Sequence, residues 1–465
     1  MTSTTVTDAV LAQIDADLER AVERLFRLVR FQSVSTDPAY APECRKAAEW
    51  LAGDLRGIGF DARVADTSGH PIVVGHHPGR DASAPHLLFY GHYDVQPVDP
   101  LGLWQGDPFE PELRTREDGT RYIHGRGAAD DKGQLMTFVE ACRAWIAATG
   151  TLPCRVTVLL EGEEDSGGES LPDFLDAHRD ELSADVALIC DTGMFDARTP
   201  AITTMLRGNV ADQVTVHAAS RDLHSGMYGG AAQNPIHVLT RILAAMHDDE
   251  GRVAIPGFYE GVPELAPEIK AQWDRLGFSP QAFLGEVGLA EPAGRHGYSA
   301  LEHLWSRPTA EVNGIWGGYT GAGFKTVIPA EAHAKVSFRL VGDQDPEHIR
   351  ELFRAFVQDR LPADCRASFA ARGGGHATVM PTADPAFEKA RRALSEEWGR
   401  EAAFIGCGGS IPVVGLLKSR LGMDSLLIGF GLDDDRIHSP NEKYELTSFH
   451  KGARSWARVL AALAA

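Results

Sequence analysis

Leu87-Leu88-Phe89-Tyr90-Gly91-His92-Tyr93-Asp94-Val95 decides how the rest of the chain is read. Four apolar residues run into a glycine, the pattern of a buried strand reaching its end. Side chains alternate along a strand, so His92 and Asp94 share a face. An imidazole and a carboxylate then meet at a strand's C-terminal end, where open α/β sheets gather their ligands. A lone His-x-Asp is more often a solvated surface pair. Its weight comes from what the chain does elsewhere.

Three more apolar runs end in the same way. Residues 156–160 run into Glu161 and the cluster Glu163-Glu164-Asp165, residues 187–190 run into Asp191, and residues 425–430 lead to His438. Carboxylates as close as those of residues 163–165 repel one another unless something cationic lies among them. Gly125-Arg126-Gly127-Ala128-Ala129-Asp130 superficially resembles a dinucleotide-binding turn. The third glycine is missing, and Asp130 would put negative charge where a pyrophosphate must sit. Leu135, Phe138, Val139, Cys142, Trp145 and Ile146 follow at helical spacing, so Asp130 lies on the loop before a buried helix. Four strands each deliver His, Asp or Glu at the same end, which describes a site built along one edge of a sheet.

The assembled set is His92, Asp94, Asp130, Glu164, Asp165, Asp191 and His438. Zn²⁺ and similar borderline ions accept imidazole nitrogen together with carboxylate oxygen. Two ions about 3.5–4 Å apart need a shared carboxylate and two further ligands each. His92, Asp130, Asp165, Asp191 and His438 supply that number. Asp94 is left to orient His92, and Glu164 to act as general base. A spare base points to hydrolysis, since a storage or structural metal site has no use for one.

Around this edge the chain organises as follows. Helices are expected over residues 8–30, 44–55 and 449–463, and a Pro-, Gly- and Asp-rich loop over 96–120; His76 and His77 read as loop. Residues 208–375 have a different rhythm. A strand at 210–217, a helix at 236–246, strands at 311–316 and 334–340, a helix at 346–361 and a strand at 368–371 give β-α-β-β-α-β, the ferredoxin-like order. The fold expected is α/β: a catalytic domain with a mixed sheet, made of residues 1–207 and 376–465, interrupted by a small ferredoxin-like domain at 208–375. Residues 248–307 carry no readable motif.

The net charge of −20 over 465 residues excludes nucleic acid and anionic membrane as partners. No apolar stretch has the length of a membrane span, and no secretory signal is expected at the N-terminus. The six cysteines, Cys44, Cys142, Cys154, Cys190, Cys365 and Cys407, are scattered. They form neither a disulfide framework nor a zinc ribbon, so a cytoplasmic setting is expected.

Gly91-His92-x-Asp94, Gly127-x-x-Asp130-x-Lys132-Gly133, Glu164-Asp165-x-Gly167-Gly168, Cys190-Asp191 and His438-Ser-Pro-Asn-Glu442 together resemble the co-catalytic di-zinc exopeptidases. That family includes aminoacylase, succinyl-diaminopimelate desuccinylase, carnosinase and cytosolic non-specific dipeptidase. Leu223-His224-Ser225-Gly226-x-Tyr228-Gly229-Gly230, Lys325-Thr326-Val327-Ile328-Pro329, Phe338-Arg339-Leu340 and Gly408-Gly409-Ser410-Ile411-Pro412 look like its dipeptidase branch.

The resemblance implies a fold with an inserted lid and dimerisation domain, and two Zn²⁺ per subunit, replaceable by Mn²⁺ or Co²⁺. It implies that Asp130 bridges the metals, that Asp94 orients His92, and that a cis peptide follows Asp130. The implied substrate is a dipeptide or small peptide with a free C-terminal carboxylate, attacked by a metal-bridged hydroxide that Glu164 activates. Arg339 would hold the carboxylate, and Thr326 and Ser410 would line the pocket. His224 would reach the partner's site in a homodimer. Where the family commonly has Glu-Glu, this chain has Glu164-Asp165, and a register with Glu163 as base and Glu164 as ligand stays open. The alternatives are an N-acyl or N-carbamoyl amino acid amidohydrolase and, of another class, an inactive metal-binding regulatory subunit.

Overall fold

The strand that ends in His92 spans His86–His92, and it is buried along its length beyond His86. A computed structural model describes residues 3–465. In the large sheet His86–His92 lies between Arg155–Glu161 and Val186–Ile189, and Ser425–Leu427 follows on the far side of Val186–Ile189. These four strands are all parallel. Their C-terminal ends therefore share one edge, as the apolar runs predict. Ile72–His77 and Asp61–Ala65 extend the sheet antiparallel beyond Arg155–Glu161, and Ala201–Leu206 adds antiparallel beyond Ser425–Leu427.

Helices Ser3–Val29, Lys132–Thr149, Pro385–Trp398 and Leu446–Leu463 pack together beside the sheet, while Ala41–Gly57 lies against Asp61–Ala65 and Ile72–His77. Phe89 of the central strand stacks on Phe138 of Lys132–Thr149, with centroids 3.8 Å apart, and Trp456 of Leu446–Leu463 meets both rings edge-on. Gly452 permits that approach, since a Cβ there would lie 2.8 Å from the Phe430 ring and 3.0 Å from Thr137. This stack fixes the helix that begins two residues after Asp130.

The chain divides into two compact units. The first runs through Thr204 and continues over Met380–Ile405 and Val413–Ala465; the second is Met205–Val379 with Gly406–Pro412. In the second, strands Thr309–Gly317, Glu331–Leu340, Gly208–His217 and Arg366–Gly375 form an antiparallel sheet in that spatial order. Numbered along the chain the order is 2-3-1-4, the ferredoxin-like arrangement. Helices Pro235–Ala244 and Pro346–Gln358 bury their apolar faces on it through Val238, Leu239, Ile242, Phe353 and Phe356. Asn234 caps the first of them, accepting the Ile236 N–H at 2.9 Å.

Three local expectations are corrected. Residues 96–120 are not all loop: Glu112–Thr115 pairs with Arg121–His124 in a hairpin that Lys443–Glu445 extends. Its turn carries Asp118-Gly119, and the density of turn residues masked the short strand before it. His76 and His77 belong to strand Ile72–His77, where His76 binds Thr157 and Glu181 at 3.0 and 2.9 Å. Gly406–Pro412 groups with the second unit, although the chain returns to the first unit on both sides of it. Among the described residues, no helix is long and apolar enough to cross a membrane.

Candidate metal centre

The shared sheet edge collects the ligand set by four different routes. His92 closes its own strand. Asp165 sits in the helical turn Glu164–Ser166, four residues past the end of strand Arg155–Glu161. Asp191 lies two residues past strand Val186–Ile189. His438 occupies a loop in which Arg436, His438 and Asn441 all have positive φ, at 57°, 60° and 66°. For L-residues that conformation costs about 1–2 kcal/mol each, a cost that concentrates where side-chain placement matters. The Asp130-Asp131 peptide is cis.

Asp130 stands between the two histidines. Its Oδ1 lies 3.2 Å from His92 Nε2 and its Oδ2 lies 2.8 Å from His438 Nε2. Ligand atoms of His92, Asp130 and Asp191 fall within 4.8 Å of one another, as do those of Asp130, Asp165 and His438. His92, Asp94 and Asp165 form a further such group. His92 Nδ1 lies 3.2 Å from the main-chain oxygen of Asp94, which can only accept, so Nδ1 is the donor there.

The centre has more negative charge than its own cations balance. Burial pushes the carboxyls of Asp165 and Asp191 above the ordinary range; the charge of His92 opposes this and that of Asp130 adds to it. Asp130 itself is held below that range by hydrogen bonds from His438 and His92, which outweigh its burial. His438 is raised by its bond to Asp130. Asp165 Oδ2 is buried with no hydrogen-bond partner. Mixed imidazole and carboxylate donors, an orphaned buried oxygen and uncompensated charge fit a divalent metal.

Supporting side chains hold this arrangement. The buried Glu442 carboxylate accepts the N–H groups of Gly127, Ala129 and Asp130 at 3.0, 2.9 and 3.0 Å, and pairs with Arg126 at 2.7 Å. Asp131 accepts the His92 main-chain N–H at 3.0 Å, and the Cys190 thiol lies 3.3 Å away, so one carboxylate joins the strands that carry His92 and Asp191. Asp94 accepts the main-chain N–H groups of Glu164 and Asp165 at 3.3 and 3.0 Å. Gln96 donates to Asp165 Oδ1 at 2.7 Å. Lys132 is buried, pushed down to about 7 by desolvation, and donates to the Phe31 carbonyl at 2.7 Å. No role for Gln96 is read from the sequence, where Glu442 stands only as the end of the His438 motif. Gln96 repeats the spacing of His92 and Asp94, and that signal could have found it.

Adjacent glutamates diverge. Glu163 accepts from the His70 and Ser170 N–H groups at 3.0 and 3.3 Å and from the Ser170 hydroxyl. Glu164 has no side-chain hydrogen bond; burial raises its carboxyl, and the charges it feels are those of His92, Asp94, Asp130 and His438.

His224, Thr326, Arg339 and Ser410 lie in the second unit. Strand Leu223–His224 pairs with Val327–Ile328, and Ser225 donates to the Thr326 carbonyl at 3.0 Å, so His224 and Thr326 are neighbours. His224 caps the turn after it, its Nδ1 accepting the Gly226 N–H at 3.0 Å. Arg339 sits opposite Asn209 in the sheet, and Asn209 reaches Ser410 Oγ at 3.5 Å. The Arg339 side chain makes no ion pair in the second unit.

Replacing Glu442 by Gln should weaken metal binding by about 10–100-fold, the usual effect of removing a group that orients a ligand. Competition against a chelator of known affinity measures it, and unchanged affinity would show that the Asp130 loop holds its shape unaided.

Residues 88–462 match peptidase family M20/M25/M40. The Cys-Gly metallodipeptidase dug1 of Schizosaccharomyces pombe is 30% identical over 98% of this chain and 98% of its own. Human Beta-Ala-His dipeptidase is 28% identical over 97% of this chain and 91% of its own. The solved structure of the di-peptidase Dug1p from Saccharomyces cerevisiae superposes with a TM-score of 0.79 at 27% identity, covering 100% of this chain and 99% of that one. The match spans the strands, the Asp130 loop and His438, and on that ground the chain belongs to the metallopeptidase family M20/M25/M40.

Proposed function

We propose that this protein is a cytoplasmic dipeptidase that holds two zinc ions per subunit and acts as a homodimer. The observation that carries the reading is the division of Asp130, one oxygen toward His92 and the other toward His438. Shared in this way, Asp130 serves one position with His92 and Asp191 and a second with Asp165 and His438. When bound, the ions supply Lewis-acid polarisation of the scissile carbonyl and a water made acidic enough to attack.

The protein's own groups do the rest. Asp94 orients His92. Glu164, whose carboxylate has no hydrogen-bond partner among the described residues, takes a proton from the attacking water and returns it to the leaving amine. Burial raises its carboxyl, which brings the base closer to the pH at which it must both accept and release a proton. Glu163 is committed to the Ser170 and His70 backbone, which supports Glu164 as the base.

Relatives matched over nearly their whole length are named for dipeptides, Cys-Gly and Beta-Ala-His. A dipeptide has one terminal carboxylate to recognise. The unpaired Arg339 guanidinium suits it as a bidentate partner, with Ser410 and Thr326 lining the pocket. His224 Nδ1 accepts a backbone N–H, which leaves its proton on Nε2, ready to donate to the substrate carbonyl of the partner subunit's site as charge develops there. The six free cysteines support a reducing cytoplasm.

With zinc present, the protein should cleave unmodified dipeptides and lose most of its kcat/KM when the C-terminus is amidated. Glu164→Gln should lose about 10²–10⁴-fold in kcat and still bind two ions, while Glu163→Gln stays active. Equal cleavage of free and amidated substrates would remove Arg339 from the reading. Hydrolysis confined to N-acyl or N-carbamoyl amino acids would make the protein an amidohydrolase.

The dimer has its own test. Glu164→Ala and His224→Ala homodimers should each be nearly inactive. Mixed by co-expression, half of the dimers would be heterodimers with one wild-type site, restoring roughly a quarter of all sites under twofold symmetry. No recovery in confirmed heterodimers would place His224 within its own subunit's chemistry or outside it.

A further inference from the structure

The two oxygens of the Asp165 carboxylate are treated differently. The side chain is only 2% exposed. Oδ1 accepts the Gln96 amide at 2.7 Å and lies 3.5 Å from His438 Nε2, while Oδ2 has no partner. The same Gln96 nitrogen reaches the main-chain oxygen of Asp165 at 3.2 Å, and the main-chain N–H of Asp165 is held by Asp94 at 3.0 Å.

Aspartate has one methylene and two side-chain torsions. With its backbone held on both sides and one oxygen clamped, the other oxygen has a single direction left. Gln96 lies beyond the end of strand His86–His92, next to Val95, which bridges to Val34. The 2.7 Å separation lies at the short end of the range for an amide donor.

From this geometry we infer that Gln96 is a positioning residue that restricts Asp165 to a single oxygen toward the ion it shares with Asp130 and His438. The inference rests on the two-ion reading above. A ligand limited to one oxygen keeps the coordination number low, which suits Zn²⁺ better than ions that gather more oxygens, such as Mn²⁺. Freed of the amide, the Asp165 carboxylate can turn and present both oxygens.

The test is metal titration of wild type, Gln96→Leu and Gln96→Met, the last keeping side-chain length without the donor. Zn²⁺, Mn²⁺ and Co²⁺ are the probes, with calorimetry for affinity and the visible spectrum of bound Co²⁺ for geometry. In both variants the second Zn²⁺ should bind about 10–100-fold more weakly. The second Co²⁺ should lose the intense bands of a four-coordinate ion, and preference should move toward Mn²⁺, while the first ion binds as before. Two ions in every protein with an unchanged second affinity and spectrum would overturn the role of Gln96 and leave the dipeptidase reading standing. Fewer than two ions in wild type would overturn both.

Discussion

One buried carboxylate organises the centre. Glu442 accepts three N–H groups of one loop and pairs with the Arg126 guanidinium, and it is almost wholly withdrawn from water. An unpaired charge in that position would be expensive, since breaking a buried pair costs about 3–5 kcal/mol. Here every donor it meets belongs to the segment that carries Asp130. Glu442 also lies four residues beyond His438, so the group that shapes the Asp130 loop is tethered to the loop that presents the second histidine. The position of Asp130 between His92 and His438 follows from that one set of hydrogen bonds.

The sheet explains why so much like charge can be assembled. Four parallel strands end along one edge, and the stack of Phe89, Phe138 and Trp456 holds the helix that follows Asp130 against the central one. Asp131 then joins the strand of His92 to that of Cys190. The carboxylates do not choose to be close; rigid elements bring their chain positions together. The remaining charge favours whatever cation can enter, which is how a folded scaffold raises affinity before any ion arrives.

Much of this was legible in the chain itself. The apolar runs ending at His92, Glu161, Asp191 and the approach to His438 place a site on one sheet edge, because strands of that composition are buried and aligned. The split β-α-β-β-α-β order of the second unit also stands in the alternation and periodicity of residues 208–375. Other features depend on partners distant in sequence. Nothing local says that Glu163 turns to Ser170 and His70 while Glu164 does not. Glu442 reads as the end of a motif until the Asp130 loop is folded around it. The strand at Glu112–Thr115 pairs with Arg121–His124, whose other edge takes the distant Lys443–Glu445, a non-local gain that turn-rich composition hides.

The proposed chemistry depends on two ions sharing Asp130. Anomalous diffraction from crystals of the zinc-loaded protein, recorded on both sides of the zinc edge, tests it most directly. Two peaks about 3.5–4 Å apart are expected, one beside His92 and Asp191 and the other beside Asp165 and His438, with Asp130 between them. A single peak, or two peaks with Asp130 bound to only one of them, would contradict it.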